Sequence, residues 1–184
     1  MSDRIRKPRI RALAIVVLVG LSLTGPAHSQ ELWAEMYLIT PEAADKPIGL
    51  VMITSTPAGA RFVADLQGLP PGQHGFHVHE NGDCGPGPDV NDTMAAGMAA
   101  GEHYDPQGTK AHRGPERQGH LGDLPFLTVQ ADGKGKCEAI APRIKDVAQL
   151  RGKALLIHAG GDNYRDQPKP LGGGGARIAC GIIQ

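Results

Sequence analysis

Gly75-Phe76-His77-Val78-His79-Glu80-Asn81-Gly82-Asp83-Cys84 decides how the rest of the chain is read. On an extended strand, residues two apart share a face, so His77 and His79 point one way and Phe76 and Val78 the other. Phe76 and Val78 are expected in an apolar core. The two imidazoles are expected on the outer side of a sheet, under a roof of loops. The chain then supplies His103 in His103-Tyr104-Asp105-Pro106, His112, and His120-Leu121-Gly122-Asp123. Five of the eight histidines lie within 75–123, and His158 ends the apolar run ALLIH. Imidazole nitrogen suits copper and zinc, and three imidazoles with one carboxylate suit a closed tetrahedral zinc site. The pattern reads as a two-metal centre.

Outward from that stretch, short apolar runs follow one another between Pro/Gly-rich turns. Strands are expected at 32–39, 47–55 (PIGLVMITS), 60–66 (ARFVADL), 126–130 (FLTVQ), 137–141, 154–158 and 177–183 (RIACGII). That spacing signals an antiparallel sandwich or barrel. Few aromatics (4%), 26 Gly and 15 Pro fit an all-β protein with long connections and a modest core. Residues 132–135 read as a hairpin-type turn, and 147–150 as a brief helical turn or loop. Residues 80–124 show no sustained period, and so long a connection is uncommon unless it is functional or disordered. Its metal-type side chains favour a loop ordered by metal. Residues 159–176 form a second long loop, with four glycines at 172–175. The stretch 94–101 is loop-like.

The first 29 residues read as a secretory signal peptide. Arg4, Arg6, Lys7, Arg9 and Arg11 precede an apolar segment at 12–23, and small residues stand at Gly25, Ala27 and Ser29. Cleavage is expected after Ala27 or Ser29, leaving one domain from residue 30 to 184. The apolar segment is short for a membrane anchor. The leader holds five of the nineteen basic residues and one of the nineteen acidic ones, which leaves fourteen against eighteen, net −4. That balance argues against nucleic acid and anionic membrane as partners, and a small anionic substrate would need a local positive lure. Of three cysteines, Cys84, Cys137 and Cys180, an oxidising compartment pairs two and leaves one, and arithmetic allows any of three pairings.

Taken in order, GFHVHENGDC, GEHYDP, GHLGDLP, IHAGGDNY and GGGGARIACGII resemble the secreted bacterial copper,zinc superoxide dismutases. The resemblance runs over about 32–184. It implies an eight-stranded antiparallel Greek-key β-barrel, a flattened sandwich, with two long active-site loops. It implies a copper ion held by His77, His79, His103 and His158, and a zinc ion held by His103, His112, His120 and Asp123, with His103 bridging the two. Asp162 matches the family's carboxylate behind the ligands, which holds one copper and one zinc histidine in place. Arg177 matches the cation that attracts superoxide beside copper, and Cys84 with Cys180 matches the family disulfide, leaving Cys137 a free thiol.

The implied chemistry is dismutation of superoxide to oxygen and hydrogen peroxide by a copper redox cycle. His103 supplies a proton, and zinc stays redox-silent. The expected place is a bacterial periplasm. Relatives occur as monomers and dimers, so a homodimer is admitted. The rivals are a copper-carrying module on the same fold and a zinc hydrolase. The first is favoured by loss of a ligand or of Arg177, and the second needs an open zinc position. His74 is expected to be structural, His28 to have no role, and Met94 and Met98 to pack in the loop rather than bind Cu(I). Glu102 puts a negative charge beside His103. Trp33 and Tyr104 carry no assignment.

Overall fold

A computed structural model describes residues 31–42 and 44–184, so the expected leader and His28 lie outside the described residues. Strands β1 (Glu31–Ile39), β2 (Ala44–Thr56) and β3 (Gly59–Gln67) form a meander. Period-two alternation shapes β1: Leu32, Ala34 and Met36 are buried while Trp33 and Glu35 face out. On β3, Phe62, Ala64 and Leu66 turn inward, and Phe62 meets Phe76 edge-to-face at 6.1 Å.

Next come β4 (Gly72–His74) and β5 (Phe76–His79), separated only by Gly75, then the two-residue strands β6 (Gly87–Pro88) and β7 (Met94–Ala95). A 3₁₀ turn at Met98–Ala100 ends the expected loop-like stretch. After the long loop stand β8 (Leu127–Val129), β9 (Lys134–Ala141), a 3₁₀ turn at Val147–Leu150, β10 (Ala154–His158) and β11 (Arg177–Ile182).

Seven strands make one antiparallel sheet in the order β5-β10-β11-β1-β2-β3-β9. The run on either side of Gly75 carries the sheet round, because β4 pairs with β8 while β5 pairs with β10. The architecture is the expected all-β, antiparallel one, laid out as this sheet plus the two-stranded pairs β4–β8 and β6–β7. One local expectation shifts. The turn after β8 closes at Lys134, where Gln130 N–H donates to Lys134 O at 2.9 Å, so β9 starts inside the expected turn. The two flanking strands also part company, since β9 pairs with β3.

Phe76 and Val78 enter the main core, with Leu155 and Ile157 of β10. Cys84 and Cys180 form a disulfide with Cα atoms 5.7 Å apart, tying the long loop to β11 across 96 residues. Among the described residues Cys137 is the free cysteine, half-buried on β9, and burial pushes its thiol pKa up.

Candidate metal centre

Strand geometry alone turns His77 and His79 away from the core, and hydrogen bonds then close the loops over them. Val78 N–H donates to Gly122 O (2.9 Å), Tyr104 N–H to Val78 O (2.8 Å) and Gly122 N–H to Tyr104 O (2.8 Å). Isolated bridges pair His79 with His103 and His77 with Asp123. From the other side, β10 lies against β5, and His158 N–H donates to Gly75 O at 2.9 Å. The loop residues thus reach the outer face of β5 through backbone pairing. The roofed, outward site expected from the H-x-H spacing is what forms.

Two donor sets result, and in each the ligating atoms lie within 4.8 Å of one another. The first is His77, His79, His103 and His158. His77 Nδ1 and the Nε2 atoms of His79, His103 and His158 are buried with no hydrogen-bond partner among the described residues. Leaving four buried ring nitrogens unpaired is costly. A soft-to-borderline cation on four imidazoles removes that cost, and copper fits the set. The other nitrogen of each ring is engaged. His77 Nε2 lies 2.7 Å from Asp162 Oδ2, His79 Nδ1 2.9 Å from Gly101 O, and His158 Nδ1 3.2 Å from Gly175 O.

The second set is His103, His112, His120 and Asp123. Three Nδ1 atoms converge on Asp123 Oδ1, at 3.0 Å for His103, 3.0 Å for His112 and 3.4 Å for His120. The second oxygen, Oδ2, accepts from the backbone N–H groups of Arg113 and Gly114. Three imidazoles and a carboxylate with no further position match zinc. His103 belongs to both sets, Nε2 toward one and Nδ1 toward the other. A third grouping, His77, His112 and Asp162, is a hydrogen-bond bridge rather than another ion site. Its carboxylate oxygens already hold His77 Nε2 and His112 Nε2, each at 2.7 Å, while the opposite ring nitrogens face the two donor sets.

Charges follow this geometry. Burial, reinforced by neighbouring His103, drives the pKa values of His77 and His79 well below the ordinary histidine range, and burial lowers His103. Burial and then His103 push His158 down to about 3. Neutral imidazole is the ligating form. Burial opposes the charged form of His112 too, but hydrogen bonds to Asp123 and Asp162 outweigh it and lift it to about 9. Asp123 likewise loses by burial and gains more from its three histidines, so it sits far below the carboxylate range.

Arg177 starts β11 and is nearly buried. Its Nη1–H donates to Gly97 O and its Nη2–H to Gly101 O, both at 2.7 Å. That second carbonyl is the one beside His79 Nδ1. A cavity of ≈ 800 Å³ is lined by Arg177, His158, Glu102, Met94 and Met98, and it reaches the four-histidine set at His158. Burial lowers the Arg177 pKa, and Glu102 works against that shift. A groove of ≈ 890 Å³ beside Trp33, Leu50 and Asp65 touches none of the histidines and has no part in this chemistry.

The chain matches the family model described as copper/zinc superoxide dismutase over residues 48–183. It belongs to the copper/zinc superoxide dismutase family. The superoxide dismutase [Cu-Zn] of Escherichia coli K12 is 50% identical over 175 residues, covering 95% of this chain and 100% of that protein. The copper/zinc superoxide dismutase structure from Brucella abortus superposes with a TM-score of 0.82 at 46% identity, over 84% of this chain and 100% of that one. The monomeric enzyme from Salmonella enterica superposes with a TM-score of 0.74 at 50% identity, with the same coverage. As a copper/zinc superoxide dismutase the chain is an oxidoreductase that dismutes superoxide, with copper and zinc as its metals.

Several features of this superoxide dismutase have no signature in the sequence. The Gly101 carbonyl shared by His79 and Arg177 is one. Another is Arg143, whose guanidinium donates to His120 O (3.0 Å) and Gly119 O (2.8 Å) and so supports the zinc-type loop from outside. His74 is structural as expected, with its ring nitrogens 2.7 Å from His158 O and 2.8 Å from Pro70 O. Tyr104 gains a contact, the Lys153 ammonium 4.1 Å over its ring.

Proposed function

We propose that copper is held by His77 Nδ1 and by Nε2 of His79, His103 and His158, and zinc by Nδ1 of His103, His112 and His120 with Asp123. Four buried ring nitrogens without partners, one of them on a ring whose other nitrogen faces Asp123, carry this reading. When bound, copper supplies a one-electron couple that oxidises one superoxide and reduces a second, while zinc is redox-silent. Arg177 presents its charge at the mouth of the cavity, where it attracts and docks the superoxide anion on a domain, residues 30–184, whose net charge of −4 repels it. His103, shared by both donor sets, would take up a proton at Nε2 whenever that nitrogen is released from copper, and would pass it on so that, with a second proton from solvent, the reduced dioxygen leaves as hydrogen peroxide. Asp162 fixes the Nε2–H tautomers of His77 and His112, leaving both Nδ1 atoms free to ligate. The mouth residues His158 and Arg177 admit a small anion, and the buried ligand rings exclude bulk water.

The place of action in this proposal is the periplasm. The basic-apolar leader at 1–29 supports export, and a disulfide persists in an oxidising compartment. No helix of the described residues is long and apolar enough to cross a membrane. The homodimer that the resemblance admits is checked by light scattering on the mature protein. Metal analysis with a superoxide-decay assay tests the function: one copper and one zinc per chain with fast decay is expected. Stoichiometric metals without decay would instead make the chain a copper carrier.

A further inference from the structure

The loops behind the zinc-type set carry a charged feature the metal centre does not use. Arg113, Arg117 and Arg165 line one cavity of ≈ 420 Å³ whose floor includes Tyr164, Pro115 and Pro125. None of these three guanidinium groups has a hydrogen bond or ion pair among the described residues. Elsewhere Arg61 pairs with Glu138 at 2.7 Å, Arg143 and Arg177 donate to backbone carbonyls, and Arg151 stands exposed by itself outside this cleft. Glu116 is the one acid in the lining. On a domain of net charge −4, three unpaired cations on one cleft reverse the local field.

The floor is fixed before any ligand arrives. The Tyr164 and Phe126 rings stack at 6.0 Å and 19°, and Phe126 N–H donates to Tyr164 Oη at 3.1 Å. Gly114 packs so tightly on the Tyr164 ring that a Cβ would not fit. The cleft also spans two loops. Arg113 and Arg117 follow His112, and Arg165 follows Asp162, so a group gripped by all three would cross-link the segments that carry the zinc ligands and the buried carboxylate.

We propose that this cleft binds a phosphate monoester dianion and thereby braces the zinc loops. Guanidinium forks match phosphate oxygens bidentately. A cavity of ≈ 420 Å³ takes the phosphate together with an organic substituent. Binding to the closed loops alone slows their opening by the factor 1 + [L]/Kd, about elevenfold at ten times Kd. Only the bracing clause rests on the zinc assignment above, because the binding clause is read by calorimetry without reference to metal.

The test uses mature, metal-loaded protein at fixed ionic strength. Glycerol 3-phosphate is titrated by calorimetry, and zinc capture by a chromogenic chelator is timed with and without it. A parallel arm replaces it by phosphatidylcholine vesicles with and without phosphatidic acid. Saturable binding and slowed zinc capture are expected. Both should be lost in the Arg117→Ser/Arg165→Ser double variant, with its copper and zinc content and dismutation rate unchanged. Protection by the soluble ester alone assigns a free metabolite, and protection by the acidic vesicles at lower phosphate assigns a lipid headgroup. No binding in either arm, or binding that survives in the double variant, overturns the site. Binding without slower zinc capture overturns the bracing.

Discussion

Replacing Asp162 by Asn should separate the two metals. The wild-type carboxylate has no exposed side-chain surface and accepts three hydrogen bonds. Oδ1 takes His112 Nε2 and Tyr164 N–H, and Oδ2 takes His77 Nε2, all at 2.7 Å. Asparagine offers one accepting oxygen. It keeps the larger share of these bonds by pointing that oxygen at the His112–Tyr164 pair, which leaves its NH₂ against His77 Nε2. An amide donor there favours the His77 tautomer with the proton on Nδ1, the atom assigned to copper. A lost charge-assisted hydrogen bond is worth about 1.5–3 kcal/mol, roughly 10- to 150-fold in an equilibrium constant. Outer partners of metal ligands typically contribute about 10–100-fold in affinity. Asp162→Asn should therefore weaken copper by about 10–100-fold and zinc by less than about tenfold. Competition titrations with a Cu(II) and a Zn(II) chelator, run on separately loaded protein, read both constants. Zinc weakened more than copper, or neither changed, would refute the tautomer argument.

Three further outcomes follow from the same geometry. Arg177→Glu should cut kcat/KM for superoxide steeply while copper and zinc stay stoichiometric, because Arg177 supplies no donor atom to either set; undiminished turnover would remove Arg177 from substrate attraction. Metal-free protein should be most stable near pH 6.5. Burial holds His158 neutral down to about 3, so its contribution is whole above 6.5 and is lost at about 1.4 kcal/mol per pH unit as pH falls toward 3. His112, raised to about 9, contributes fully below 6.5 and loses that contribution as pH rises through 9; a flat denaturant-midpoint profile between pH 4 and 9 would contradict both. Cys84→Ser with Cys180→Ser should cost about 4 kcal/mol and lower Tm by on the order of 10 °C, read by calorimetry, given the 96-residue loop that the bond closes.

Much of this molecule is legible one residue at a time. The alternation Leu32-Trp33-Ala34-Glu35-Met36 places β1 with one face in the core, and H-x-H puts two imidazoles on a single face because the strand period is two. Ligand chemistry marks the other donors, since buried histidines in an unpatterned loop need a partner. The Cys84–Cys180 pairing is different: counting leaves three choices, and only the family likeness selects the one that forms. What local pattern cannot carry is contact through the backbone. The bonds from Arg143 to Gly119 O and His120 O, and the switch of pairing from β8 to β10 across Gly75, are long-range acceptor choices with no side-chain code.

The Gly101 carbonyl oxygen, taken at once by the Arg177 guanidinium and the His79 ring, works as a spacer of fixed length between entrance and reaction centre. If the 97–101 turn breathes, the Arg177 guanidinium and the His79 imidazole travel together, so under the proposed roles an incoming anion meets the same offset at every instant. Lengthening that turn by one residue would therefore retune capture and redox chemistry jointly, and the two could not be optimised separately by changes there.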